Sequence, residues 1–323
     1  MQEKNVTEIL SELVKIKSIS SDKNHIADVK KSAEFVEKLF LELGLQTKIA
    51  TSGNSRPAVL AQTEINPDRK TVLLYAHHDV QPVGDINKWE TDPFNPEIIN
   101  GRLFGRGSGD NKAGVVIHHE VVKELMKDLP VNIKIFIEGE EEIGSPCMAE
   151  FLDEFNKELE ADVIVIADSG NIRIGTPTVT TSLRGLVDGF IEVDQPMRPV
   201  HSGVSGGVVP DAFMVLSKII ASFHNEKGEL QIEGLTSSDM DVLELKEEEI
   251  KKIFGSEDIN LFELDSISKR LWLEPALSIL AIDAPSTKEA VNLVIPNAKA
   301  KVSLRLPPTE DPEHAMKMLE EHI

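Results

Sequence analysis

Cysteine is almost missing from this sequence: Cys147 stands alone among 323 residues. One thiol excludes an internal disulfide framework and suits a reducing compartment. Long apolar runs are missing too, since none approaches the ~20 residues that span a bilayer. The opening Met1-Gln2-Glu3-Lys4-Asn5 leads into no apolar stretch of the kind a secretory signal carries. A cytoplasmic protein with no membrane partner is therefore expected. Basic residues are few for the acidic ones present: 34 Lys and Arg against 55 Asp and Glu, a net charge of −21. Such a chain repels phosphate backbones, which argues against nucleic acid as a partner. There is no internal repeat and no low-complexity linker. What remains is an ordinary globular balance, 41% hydrophobic and 28% charged, with enough apolar material for a core. At roughly 150 residues per domain the length suits two domains.

The apolar spacing predicts helices over 6–16 and from Ile26 to Leu43, the second ended by Gly44 as a C-cap. Three short segments are near-continuously apolar: Thr71–Ala76 (TVLLYA), Val131–Glu138 (VNIKIFIE) and Asp162–Ala167 (DVIVIA). They read as strands buried on both faces. Lys112–Leu129 and Pro146–Leu159 between them read as helices, so the first half is an α/β layer with a mostly parallel sheet flanked by helices. Past Arg184 the texture changes. Strands over Leu186–Val193, Leu277–Ile282 and Ala298–Leu306, with helices over Asp211–Phe223 and Asp311–His322, give β-α-β-β-α, one strand short of a split βαβ sandwich. The expected division is 1–183 and 184–323. Residues 225–275 form an acidic insertion whose Glu247-Glu248-Glu249 run suits a solvated helical face.

The placement of acidic and imidazole residues carries more than their number. Each predicted buried strand runs into groups that bind metals: TVLLYA into His77-His78-Asp79, VNIKIFIE into Gly139-Glu140-Glu141-Glu142, and DVIVIA into Asp168. In open α/β sheets, ligands bind at the carboxyl ends of strands. Asp110 adds a fourth carboxylate in the glycine-rich Gly105-Arg106-Gly107-Ser108-Gly109-Asp110-Asn111, just before a predicted helix. Carboxylates gathered in one cleft repel one another unless cations neutralise them. A His, Asp and Glu set suits zinc, with manganese or cobalt as alternatives, and a shared carboxylate can bridge two ions.

Each residue has a plainer role available when taken alone. Asp110 suits a helix N-cap, Asp168 a turn, the glutamate run a solvated bend and His77 a structural histidine. The metal reading rests on their joint placement. His118 and His119 sit among Val115, Val116, Ile117 and Val121 and are assigned to packing or surface, and Cys147 to a small, partly buried thiol. Gly203-Val204-Ser205-Gly206-Gly207 fits the G-x-S-x-G pattern, but no apolar strand precedes it, so it is not read as a nucleophile elbow. The Gly105 segment lacks the third glycine of a dinucleotide fingerprint.

At these residues the chain resembles the dizinc metallopeptidase superfamily of carnosine dipeptidases, aminoacylases, desuccinylases and carboxypeptidase G, most of all its dipeptidase branch. The segments are YAHHDVQPV (Tyr75–Val83), WETDPFNPEIINGRLFGRGSGDNKAG (Trp89–Gly114), LPVNIKIFIEGEEEIGS (Leu129–Ser145) and HSGVSGGVVPDA (His201–Ala212), with VSLRLPP (Val302–Pro308) as a weaker match. The resemblance implies a zinc-exopeptidase-like catalytic domain and a lid domain through which two chains pair. It implies His77, Asp110, Glu142 and Asp168 as metal ligands, Asp110 bridging two ions. It implies Asp79 as the carboxylate orienting His77 and Glu141 as the general base. His201 would reach the partner chain's cleft to steady the reacting carbonyl oxygen, and Arg305 would grip the substrate carboxylate. The Asp110–Asn111 peptide is expected to be cis.

The activity so implied is hydrolysis of a dipeptide or short peptide by a water activated between two divalent ions. The alternatives are an N-acyl amino acid deacylase or desuccinylase using the same machinery, and a non-catalytic metal-binding module that dimerises. The family's returning segment, with a last metal-binding histidine in a His-Ser-Pro setting, has no counterpart in the sequence. A truncated chain, inactive by itself and with one metal position incomplete, is therefore expected.

Overall fold

The structure is a computed structural model that describes residues 5–323. It divides into two compact units between Thr178 and Val179, each taken here by itself.

In the first unit, helix α1 (Val6–Val14) opens on a capping box, in which Asn5 and Glu8 each accept the other's backbone N–H. Helix α2 (Ile26–Glu42) buries Val29, Ala33, Val36 and Phe40, the helical stripe expected of it. Gly44 follows with a φ of 87°, the left-handed conformation that lets the chain turn away. Strands β1 (Gln46–Ala50), β2 (Ala58–Gln62) and β3 (Thr71–His77) come next, then a small hairpin of β4 (Glu97–Ile99) and β5 (Arg102–Phe104). Helix α3 (Lys112–Leu125), strand β6 (Asn132–Glu138), helices α4 (Met148–Glu154) and α5 (Asn156–Leu159), and strand β7 (Val163–Ile166) complete the unit. The predicted single helix over 146–159 is broken in two at Phe155, whose φ and ψ of −107° and 23° leave the helical basin.

The main sheet has the order β1-β2-β6-β3-β7. Strand β3 runs parallel to both β6 and β7, while β1–β2 and β2–β6 pair antiparallel, so the sheet is mixed around a parallel centre. Strand β6 is buried at every position. Its Ile133, Ile135 and Ile137 join Phe40, Val36 and Val115 on one face, and its Phe136 joins Leu60, Leu73 and Phe151 on the other. Strand β7 departs from expectation. Val163–Ile166 are all exposed, Ile164 by 60%. The strand lies at the sheet's edge beside β3 alone, so its apolar composition does not translate into burial.

The second unit holds an antiparallel sheet of order β10-β12-β8, from β8 (Gly185–Asp194), β10 (Ala276–Asp283) and β12 (Asn297–Leu306). A short pair, β9 (Val200–His201) with β11 (Leu293–Val294), and the single turn α6 (Ser202–Ser205) lie beside it in sequence. Helices α7 (Ala212–Ser222) and α9 (Pro312–His322) cover one face, each started by an aspartate, Asp211 or Asp311, that accepts a backbone N–H three residues on. Val187, Ile191, Leu216, Val302, Leu304 and Leu319 form the core between sheet and helices. The β-α-β-β-α order is thus the one the sequence predicts. The acidic run falls in the first turn of α8 (Glu247–Phe254), where negative charge complements the helix dipole. Among the described residues no helix is long and apolar enough to cross a membrane.

Candidate metal centre

Strands β3 and β6 run in parallel register, with His77 opposite Glu138, so their carboxyl ends open onto the same place. Strand β7, on the other side of β3, leads directly into Asp168. The side chain of His77 is wholly buried. Its Nε2 lies 3.1 Å from Asp110 Oδ1, 3.6 Å from Glu141 Oε2 and 3.7 Å from Asp168 Oδ1. On the other side of the ring, Nδ1 lies 3.3 Å from Asp79 Oδ1 and 3.2 Å from the Asp79 carbonyl. Asp79 Oδ2 accepts the backbone N–H of Glu142 at 3.1 Å, which ties the glutamate turn to the β3 end. The Asp110–Asn111 peptide is cis, as the resemblance implied. The Asn111 amide donates to the Ala167 carbonyl at 2.7 Å and to Asp168 Oδ1 at 2.6 Å, so it fixes the third carboxylate. Gly114 makes room for this: a Cβ there would collide with Asn111 Oδ1 and the Ala167 carbonyl.

The charges are strongly coupled. Burial pulls the His77 imidazole down, but the Asp168 and Asp79 carboxylates facing its ring nitrogens overcome it and raise its pKa to about 11. In the metal-free protein His77 is therefore an imidazolium shared among carboxylates. Asp168 is held below the usual carboxylate range chiefly by its bond to His77. Asp79 is pushed up by burial and, more strongly in sum, down by His77 and Ser20, so it too stays ionised. Glu141 and Glu142 move the other way, raised first by burial and then by the neighbouring carboxylates Asp168 and Asp110 respectively.

The chain is similar to known proteins. The family model described as Peptidase family M20/M25/M40 matches residues 73–264. The chain belongs to this family. It is 32% identical to the cysteinylglycine-S-conjugate dipeptidase of Corynebacterium striatum, over 97% of this chain and 70% of that protein. It is likewise 32% identical to a Cys-Gly metallodipeptidase of Schizosaccharomyces pombe, over 97% of this chain and 71% of that one. Among solved structures, an M20 family metallo-carboxypeptidase from Sulfolobus solfataricus superposes with a TM-score of 0.81 at 28% identity, covering 99% of this chain and 75% of its own. This M20 chain is thus a metallopeptidase.

The donor set fits a metal ion. Ligand atoms about 2.0–2.2 Å from a tetrahedral zinc stand about 3.3–3.6 Å from one another, close to the 3.1 and 3.7 Å from His77 Nε2 to Asp110 and Asp168. Among the described residues these three form the group whose ligand atoms all lie within 4.8 Å of one another. Glu142 is held beside them, its Oε1 accepting the Gln81 backbone N–H at 3.2 Å.

His201 and Arg305 lie in the second unit. His201 ends β9 with its side chain exposed, Nδ1 accepting the Gly203 N–H at 3.0 Å. Arg305 sits exposed on β12 between Leu186 of β8 and Ala276 of β10. Ser205 lies in the single turn α6 after a two-residue strand, not on an elbow. His118 Nε2–H donates to the Tyr75 carbonyl at 2.8 Å, and His119 pairs with Glu120, packing roles for both. Asn111 and Gln81 are site residues that sequence reasoning passed over. Asn111 stood in a quoted motif, but nothing in an amide's identity says that its N–H will face a carboxylate two strands away.

Proposed function

We propose that this protein hydrolyses dipeptides or short peptides with two divalent ions, zinc foremost and manganese or cobalt as alternatives, and with Glu141 as general base. The observation that carries the reading is His77 Nε2, faced at once by Asp110, Asp168 and Glu141. Ions bound there would supply positive charge that acidifies a water and polarises the amide carbonyl. The protein's own groups do the rest. Asp79 holds Nδ1 and so leaves Nε2 as the ligating nitrogen. Glu141, with its pKa raised, takes the proton from the attacking water and passes it to the leaving amine. Asp110 and Glu142, with His77 and Asp168, would hold the ions. His201 steadies the oxyanion and Arg305 binds the substrate's carboxylate. The names of the relatives, dipeptidases both, support a small peptide as substrate.

A panel of dipeptides and N-acyl amino acids tests the substrate class. Once both metal positions are filled, dipeptides such as Cys-Gly are expected to be cleaved, with loss on chelation and recovery on adding back zinc, manganese or cobalt. Cleavage of the N-acyl amino acids alone would replace this reading with a deacylase. We further propose a cytoplasmic homodimer formed through the second unit, since His201, exposed at the end of β9, has its assigned role only against a partner chain. Sedimentation should give a dimer at micromolar concentration. A fully active monomer would end the in-trans role of His201.

A further inference from the structure

Lys112 is an anomaly. It opens α3, where the helix dipole disfavours a cation, and its side chain is 0% exposed. Burying an ammonium is expensive unless it is paired, yet the partners of its Nζ are two backbone carbonyls, Leu13 at 3.0 Å and Ile16 at 2.6 Å. Neither carbonyl depends on it. Leu13 already accepts from Ile16 at 3.1 Å, and Ile16 from Ser18 at 2.9 Å. Satisfying those acceptors therefore does not account for an amine kept in the core, where burial pulls its pKa down to about 7.

Its location does. The Lys112 backbone N–H donates to Gly107 at 3.1 Å and so closes the loop that carries Asp110 and Asn111. The loop packs on the lysine stem: at Gly107, φ 87°, a Cβ would stand 3.1 Å from Lys112 Cδ and 2.7 Å from Val80. The carbonyls that hold Nζ belong to the end of α1 and the segment after it. That segment is stitched to the residues that follow His77, with Ser18 Oγ donating to the His78 carbonyl at 2.7 Å and Val80 N–H to the Ser18 carbonyl at 2.9 Å. Lys112 thus connects the Asp110 loop to the strand end that presents His77.

We propose that Lys112 is a positioning residue for the metal centre, a strut that sets Asp110 at its distance from His77. The proposal rests on the reading of Asp110 as a metal ligand. Lys112→Met keeps the stem and removes the amine. Because each carbonyl keeps a donor and a buried polar group is lost, the metal-free variant should melt at or above the temperature of the unaltered protein. Its zinc affinity, read by competition with a chromogenic chelator, should fall about 10–100-fold, the range for loss of a residue that orients a ligand. The visible spectrum of the cobalt-loaded protein should change with it. Lys112→Gln, which keeps an N–H donating group on a shorter side chain, should fall between the two, and it decides the matter by the same readouts if Lys112→Met does not fold. Zinc affinity and cobalt spectrum equal to those of the unaltered protein, with or without a lower melting temperature, would overturn the proposal. Absence of zinc binding by the unaltered protein would instead overturn the metal reading, and this inference with it.

Discussion

Glu141→Gln should leave the protein folded and able to bind zinc while turnover of peptides falls by about 10²–10⁴-fold, the usual contribution of a positioned general base. Glutamine is nearly isosteric with glutamate but cannot accept the proton. The carboxylate lies 3.6 Å from His77 Nε2, at the margin of the three ligand groups. Burial and the nearby carboxylates raise its pKa toward neutrality, which suits a group that must take up a proton and release it in one cycle. Glu142→Gln should behave differently. Glu142 is fastened at both ends, its N–H to Asp79 and its Oε1 and carbonyl to Gln81. That is the restraint expected of a ligand rather than of a proton carrier, so its variant should lose metal first and activity as a consequence. Steady-state rates at saturating zinc, with metal content measured on the same samples, separate the two. If the variants exchanged these behaviours, the assignments within the glutamate run would be wrong by one residue.

Much of this site was legible because two rules agree: apolar strands point to the sheet, and ligands gather at their carboxyl ends. The strand-end clusters His77-His78-Asp79, Glu140-Glu141-Glu142 and Asp168 follow from those rules once the three strands are recognised, while the roles within them came from the family resemblance. The antiparallel half of the sheet was not legible. Strand β1, Gln46–Ala50, opens with three polar residues and is exposed at Gln46 and Lys48, so no apolar run announces it. Strand β7 shows the converse. VIVI reads as buried, but a strand's exposure depends on what lies beside it, which its own sequence does not contain. Lys112 was hidden for a related reason. A lysine at the start of a helix is ordinarily solvated, and only the path of residues 13–20 past the Asp110 loop places it in the interior. Asp110 was legible as a carboxylate in a glycine-rich turn, whereas its bridging role came from the family resemblance alone.

Zinc titrated into the metal-free protein should fill one tight position per chain, and His77→Gln should weaken that position by more than about 100-fold, beyond the effect of losing a merely orienting residue. One position has three donors drawn together, His77, Asp110 and Asp168. Among the described residues a second ion would rely on Asp110 and Glu142, with no imidazole grouped beside them, and should bind more weakly. The His77 position also carries a proton signature. With its pKa at about 11, the imidazole is protonated in the metal-free protein at neutral pH. That value lies above the roughly 6.5 of an unfolded histidine, so the stability it confers on the metal-free protein is full below about pH 6.5 and is lost as the pH rises through about 11. Zinc requires the neutral ring, so each ion bound must displace one proton. Affinity should then climb about tenfold per pH unit through the neutral range. Calorimetry in buffers of different ionisation enthalpy should report close to one proton released per zinc. Asp168 and Asp79 add little to that count, because His77 already keeps both ionised. Two equally tight positions in the His77→Gln variant, or zinc binding without proton release, would show that the ion sits on other donors and that the strand-end cluster is held together by hydrogen bonds alone.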